Sequence, residues 1–122
     1  MKKVYFLSTC STCKRILKEV EASKRGFEFQ DIATVRISSD QLAEMKERAG
    51  SYDALFSRRA IQYREMKLKH KNLQENDFRK LILGEYTFLK RPVFLIKDRI
   101  FAGSEKKTVE LIKKFLKQET AS

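Results

Sequence analysis

The chain opens on a run of bulky, β-favouring side chains, Val4, Tyr5, Phe6 and Leu7. It predicts a short buried strand over Lys3–Leu7. A polar turn, Ser8 to Thr12, follows. Cys13, Ile16, Leu17 and Val20 then recur at helical spacing with lysine and glutamate between them. This pattern predicts an amphipathic helix from Thr12 to about Lys24, stopped by Gly26. The segment FEFQDI (27–32) alternates apolar and polar residues, the mark of a half-buried strand. In SSDQLAEMKERAG (38–50) a second helix is expected, capped by Ser38 or Ser39, turning Leu42 and Met45 inward and ending at Gly50.

From Ser51 to about Tyr86 no strand pattern stands out. YDALFSRRAIQYREMKL and LQENDFRKLILGEY both read as helical, the second with Phe78, Leu81 and Ile82 as its apolar stripe. Strands return in RPVFLI (91–96) and RIFAG (99–103), with Lys97 and Asp98 between them as a tight hairpin turn. Ser104 is the expected cap of a last helix carrying Val109, Ile112, Phe115 and Leu116 on one face. The order βαβ, helical block, ββα requires a parallel βαβ unit and an antiparallel hairpin. Four strands then share one mixed sheet flanked by helices in an α/β architecture, with a helical insertion at about residues 38–88 between the second and third strands.

Composition narrows the picture. At 122 residues, with a 42% hydrophobic share, four glycines and one proline, the chain suits a single globular domain spanning 1–122. The apolar start is only four residues deep before Ser8 and Thr9, too short for a secretory leader. We therefore expect the protein to begin at Met1 and to be cytoplasmic. No stretch approaches the length of a membrane span, so no membrane association is expected. The net charge of +11 creates a field that draws anions and acidic surfaces. Most of the basic residues are interleaved with acids, as on solvated helix faces. No DNA-reading motif is present, and direct DNA binding is not expected.

Both cysteines, Cys10 and Cys13, fall in the first strand-to-helix turn. In a reducing compartment, a C-x-x-C beside a βαβ pattern points to redox chemistry. Half a zinc site looks the same, but structural zinc takes four Cys or His ligands. Here the two cysteines and the single His70 fall short, and His70 sits in the charged stretch KLKHKNL, so no metal is expected. A helix N-terminus offers unpaired N–H groups and partial positive charge to a thiolate. Lowering a thiol from about 8.5 to about 7 takes roughly 2 kcal/mol. A helix end supplies about 0.3–1 kcal/mol in ordinary settings, so a nearby arginine or lysine is needed as well. Cys10, ahead of the helix, is the expected attacking thiolate. Cys13, one turn further in, is the expected resolving thiol.

YFLSTCSTCKRILKEVEASKRGFEFQDI, LFSRRAIQYRE and LKRPVFLIKDRIFAGSEKKTVELIKKFL together resemble the arsenate reductase ArsC/Spx family over nearly the whole chain. The resemblance implies a thioredoxin-like (glutaredoxin-like) fold and a cis bond before Pro92, packed beside the active thiol. It also implies Cys10 as the nucleophile, with Arg59 and Arg91 holding an oxyanion and Ser11, Thr12 and Pro92 completing the substrate site. Guanidinium forks suit tetrahedral oxyanions and depress a neighbouring thiol. No bound cofactor is implied. Glutathione is the implied co-substrate, and glutaredoxin or thioredoxin the implied protein partner, for a small oxyanion or a thiol/disulfide substrate.

The sequence also departs from the arsenate reductases. Phe6 stands where they usually carry a histidine, Ala102 and Gly103 where a third oxyanion arginine is usual, and two cysteines share the loop instead of one. The C-x-x-C is similar instead to that of the Spx-type regulators, whose pair switches RNA polymerase binding, with Gly50 near their interface glycine. The expected function is a thiol-disulfide redox protein resembling arsenate reductase, with a redox-switched, RNA polymerase-binding regulator as the alternative.

Overall fold

The computed structural model describes residues 2–121, and side chains through Glu119. Four strands, β1 (Lys2–Phe6), β2 (Glu28–Asp31), β3 (Val93–Ile96) and β4 (Arg99–Ala102), form one sheet in the order β2-β1-β3-β4. β1 runs parallel to β2 and antiparallel to β3, and β3 is antiparallel to β4. The mixed sheet expected from the βαβ and hairpin patterns is thus realised, and its helices make it α/β with a thioredoxin-like arrangement. The helices are α1 (Ser11–Glu19), α2 (Ser39–Ala49), α3 (Ile61–Glu65), α4 (Glu75–Gly84) and α5 (Lys106–Ala121). The chain clusters into two compact units, one running to Asp31 and resuming at Arg91, the other covering residues 32–90.

In the first unit, one sheet face contributes Val4, Phe94 and Ile96 to a core closed by Ile16 and Val20 from the α1 segment and Val109, Ile112 and Leu116 from α5. Phe27 meets Phe94 edge-on at 5.5 Å within it. β3 is buried on both faces, which accounts for its unbroken apolar run. The hairpin turn is the expected Lys97–Asp98 pair, with Lys97 in the left-handed region at φ 58°.

Several boundaries differ from the sequence reading. α1 ends at Glu19, not near Lys24, because Glu21 turns left-handed at φ 55° and a 3₁₀ turn, Ala22–Lys24, follows. An unbroken helix would carry Ala22 off the Ile16–Val20 stripe; the break brings it into the core, fully buried. β2 is shorter than 27–32, and its alternation is offset. Phe27 is buried ahead of the strand, Phe29 is 42% exposed and Gln30 is buried. On this edge strand Phe29 meets the ring of Phe6, 5.9 Å away and near-perpendicular. The last helix starts at Lys106, with the Glu105 carbonyl, not Ser104, accepting its first bond from Val109 N–H at 3.1 Å.

In the second unit, α2 matches its expectation. The Ser38 hydroxyl accepts from Gln41 N–H at 3.0 Å, Gln41 Oε1 accepts from Ser38 N–H at 3.1 Å, and Gly50 closes the helix at φ 94°. The helix expected across 52–68 is instead broken into a 3₁₀ turn (Asp53–Leu55), α3 and a second 3₁₀ turn (Leu68–His70). Phe56 is extended and bridges antiparallel to Leu89. Ser57 N–H donates to Phe88 O at 2.7 Å, and Lys90 N–H to Leu55 O at 2.9 Å. These pairings, with Phe56 packed between Phe78 and Phe88 at 4.8 and 5.1 Å, override local helix propensity. Phe78 and Ile82 are the buried stripe of α4, with Leu81 half-buried.

Candidate active site

β1 ends at Phe6, and the four residues after it deliver the chain to α1 with Cys10 as the N-cap. Cys10 has extended backbone (φ −94°, ψ 110°), its N–H donates to Leu7 O at 3.0 Å, and its carbonyl accepts from Lys14 N–H at 3.2 Å. That geometry aims the side chain at the open end of the helix, where Cys13 N–H donates to Cys10 Sγ at 3.4 Å. The Cys10 sulfur thus takes the capping role usually filled by a Ser or Asp oxygen.

The two thiols are driven in opposite directions. For Cys10, burial raises the pKa, but the amide and thiol of Cys13, the Arg91 guanidinium and the Thr12 amide outweigh it, so the Cys10 thiol lies below its ordinary value. Cys13 is fully buried. Burial, joined by the hydrogen bond and charge of Cys10, pushes it up to about 11 against the lowering effects of the Leu7 backbone and Arg91. Cys10 is the more readily ionised sulfur of the two, and Cys13 stays a proton-bearing donor to it at neutral pH.

Arg91, half-buried, precedes Pro92 through a cis peptide bond, and Pro92 O accepts from Gly103 N–H at 3.0 Å. The cation that the helix end alone could not replace is therefore Arg91. Ser11 is exposed and Thr12 half-buried at the first positions of α1. Thr12 acts on Cys10 through its backbone N–H, a contribution that side-chain reasoning misses and that the helix start signals. The influence of Leu7 on Cys13 has no sequence signal.

Cys10, Thr12, Cys13 and Arg91 come together in the first unit. Arg59 belongs to the second, exposed in the turn before α3, where it lines a hollow with Arg58, Arg64, Lys67, Lys69 and His70. Ala102 ends β4 opposite Val93, presenting a methyl group where the resemblance implies an arginine. No cluster of three or more His, Cys, Asp or Glu side chains able to hold a metal occurs among the described residues, nor any helix long and apolar enough to cross a membrane.

A mixed four-stranded sheet with a dithiol at the N-terminus of its first helix defines a thiol redox protein of thioredoxin-like fold. Residues 5–112 match the profile of the ArsC family, to which the chain belongs. Solved structures agree on the fold. An arsenate reductase from Vibrio cholerae superposes with a TM-score of 0.75 at 16% identity, covering 91% of this chain and 96% of that one. An arsenate reductase-related protein from Brucella melitensis gives 0.70 at 19% identity, with coverage of 90% and 92%. A Staphylococcus aureus protein gives 0.73 at 24% identity, with coverage of 91% and 97%. No curated protein matches the chain.

Proposed function

We propose that the protein performs thiol–disulfide exchange with Cys10 as the attacking and Cys13 as the resolving sulfur. The observation that carries this reading is the opposed state of the two thiols, Cys10 lowered at the helix end and Cys13 raised to about 11 beneath it. The Cys10 thiolate attacks one sulfur of a substrate disulfide. A Cys10–substrate S–S bond forms, the substrate bond breaks, and the second substrate sulfur leaves as a thiolate that takes a proton from water. With the negative charge on Cys10 consumed, one of the influences keeping Cys13 protonated is gone. Cys13 releases its proton and attacks Cys10 Sγ, expelling the other substrate sulfur as a thiolate. The substrate gains two electrons and the pair becomes a disulfide; an external dithiol of the glutaredoxin or thioredoxin kind, or two glutathione molecules, returns it to the reduced form. The need for a reducing pool supports residence in the cytoplasm.

Arsenate is the oxyanion substrate that family membership suggests, and Arg91 beside Cys10 supplies one guanidinium for it. The test is alkylation of Cys10 by iodoacetamide at pH 7, together with turnover of a small disulfide and of arsenate in the presence of glutathione and glutaredoxin. Alkylation well above that of free cysteine is expected. Cys10→Ser should abolish turnover, and Cys13→Ser should trap the mixed disulfide. Reactivity no greater than that of free cysteine, or turnover surviving Cys10→Ser, would overturn the reading.

The methyl group of Ala102 and the ring of Phe6 favour a second reading, in which the same pair switches binding to RNA polymerase in the manner of the Spx-type regulators. Co-purification with RNA polymerase that changes on oxidation, without arsenate turnover, would select it.

A further inference from the structure

We propose that the cationic hollow of the second unit binds a small polyanion carrying a chain of two or more phosphates. Between Arg58 and Lys71 six basic residues stand against one acid, Glu65. Five of those six, with His70, Tyr63 and Ala60, line a single cavity of about 360 Å³. Arg58 is already neutralised by Asp53 at 2.8 Å and lies over the rings of Phe56 and Phe78 at 5.6 and 5.3 Å, so it is held in place. Arg59, Arg64, Lys67 and Lys69 have no salt bridge among the described residues. Four unneutralised cations around one concavity repel one another until an anion enters.

The backbone adds an independent observation. Lys67 takes the left-handed conformation, φ 55° and ψ 38°, as the N-cap of the Leu68–His70 turn, a geometry that is strained for a non-glycine residue. Leu68, 2% exposed, anchors that turn and sets Lys67 and Lys69 on either side of it. Strain and like-charge crowding therefore coincide at one short segment, as expected where a ligand repays both.

Size and charge choose the ligand. At about 30 Å³ per water the cavity holds roughly a dozen waters, so one tetrahedral anion would leave most of it wet. Small-molecule sites begin at about 300 Å³. Matching four cations takes three or four negative charges, as on a diphosphate or triphosphate, whose oxygens also suit guanidinium forks. The phosphate chain could belong to a nucleotide or be inorganic.

The test is calorimetric titration of the full, reduced chain at low salt with tripolyphosphate, ATP and orthophosphate. Saturable one-to-one binding of tripolyphosphate is expected. The Arg64→Gln/Lys67→Gln double variant should weaken it at least tenfold. A Lys107→Gln/Lys114→Gln control on exposed positions of α5 should stay within twofold. Lys67→Gly guards against misfolding: it relieves the left-handed strain, so it should weaken binding while the protein resists urea better. Equal affinity for ATP and tripolyphosphate makes the phosphate chain sufficient, and tighter ATP binding adds the nucleoside; both support the site. The proposal is overturned by absent saturation, by equal losses in the α5 control, by orthophosphate binding as tightly as tripolyphosphate, or by tighter binding of polyglutamate or a single-stranded oligonucleotide.

Discussion

Cys13 should cost the folded protein stability at alkaline pH. Its thiol is raised from 9.0 to about 11 in the native state, chiefly by burial. Between those values the unfolded chain releases this proton and the folded chain holds it, so the unfolded state binds fewer protons and stability falls as pH rises. The loss begins near the unfolded value and is complete above the folded one. It comes to roughly 1 kcal/mol at pH 10 and roughly 2 kcal/mol at pH 11, toward an upper limit of about 3 kcal/mol. The lowered Cys10 adds nothing to this slope above its unfolded pKa, because its stabilisation grows with pH only up to that value and is fully present and constant beyond it. Cys13→Ala removes the titration and leaves a packing loss of about 1 kcal/mol, joined by the loss of its thiol's hydrogen bond to Cys10, which is constant above the unfolded Cys10 pKa. Urea unfolding of both proteins, kept reduced, at pH 8, 9, 10 and 11 is the assay. The variant should be less stable at pH 8 and overtake the parent by pH 11, since other lysines and tyrosines titrate alike in both. Stability curves that stay parallel across that range would refute the assignment of a buried, raised thiol.

Arg91→Gln should raise the Cys10 pKa. A partly exposed charge contributes about 0.2–1 kcal/mol, so the rate of iodoacetamide alkylation at pH 7 should fall by a factor of about 1.4 to 5 without being abolished, and an unchanged rate would remove Arg91 from the site. Ser38→Ala deletes one half of the capping box and should cost about 1 kcal/mol, read as faster amide exchange in the first turns of α2. Phe94→Ala empties the centre of the first core, where the ring is fully buried against Phe27. It should cost about 3–5 kcal/mol in urea unfolding, and a loss under about 1.5 kcal/mol would mean the cavity collapses.

The elements that sequence periodicity resolved are those whose local and tertiary demands agree. α2 has its cap at Ser38, its buried Leu42 and Met45 and its left-handed Gly50 all where the pattern puts them. β3 is legible because burial on both faces leaves no polar position to interrupt VFLI. The failures have a common origin in partners distant in sequence. Phe56 leaves a helical pattern because residues 88–90 offer its neighbours backbone bonds, and no window around Phe56 contains that information. Glu21 and Lys67 adopt left-handed backbone that no glycine or asparagine announces. At the candidate site the side chains were legible and the amides only in part. A helix start signals donors in general, but which of them reach Cys10 depends on the extended turn of that residue.

The order of influences on Cys10 bears on what the site can do. The amides of Cys13 and Thr12 are set by the first turn of α1, whereas Arg91 arrives from a distant part of the sequence, two residues ahead of β3, the strand next to β1. A thiolate held mainly by its own helix stays activated when the cation turns to something else. Arg91 can therefore turn toward an incoming anion or a developing charge on a leaving group while the helix amides still lower the Cys10 thiol. Activation of the nucleophile and recognition of the substrate are thereby separable. Each tenfold gain in thiolate stabilisation at neutral pH stabilises the dithiol over the disulfide and moves the pair about 30 mV toward the oxidising end. Substitution at Arg91 should then disturb substrate affinity more than the reduction potential. A potential that followed Arg91 as closely as affinity does would mean that one interaction carries both tasks.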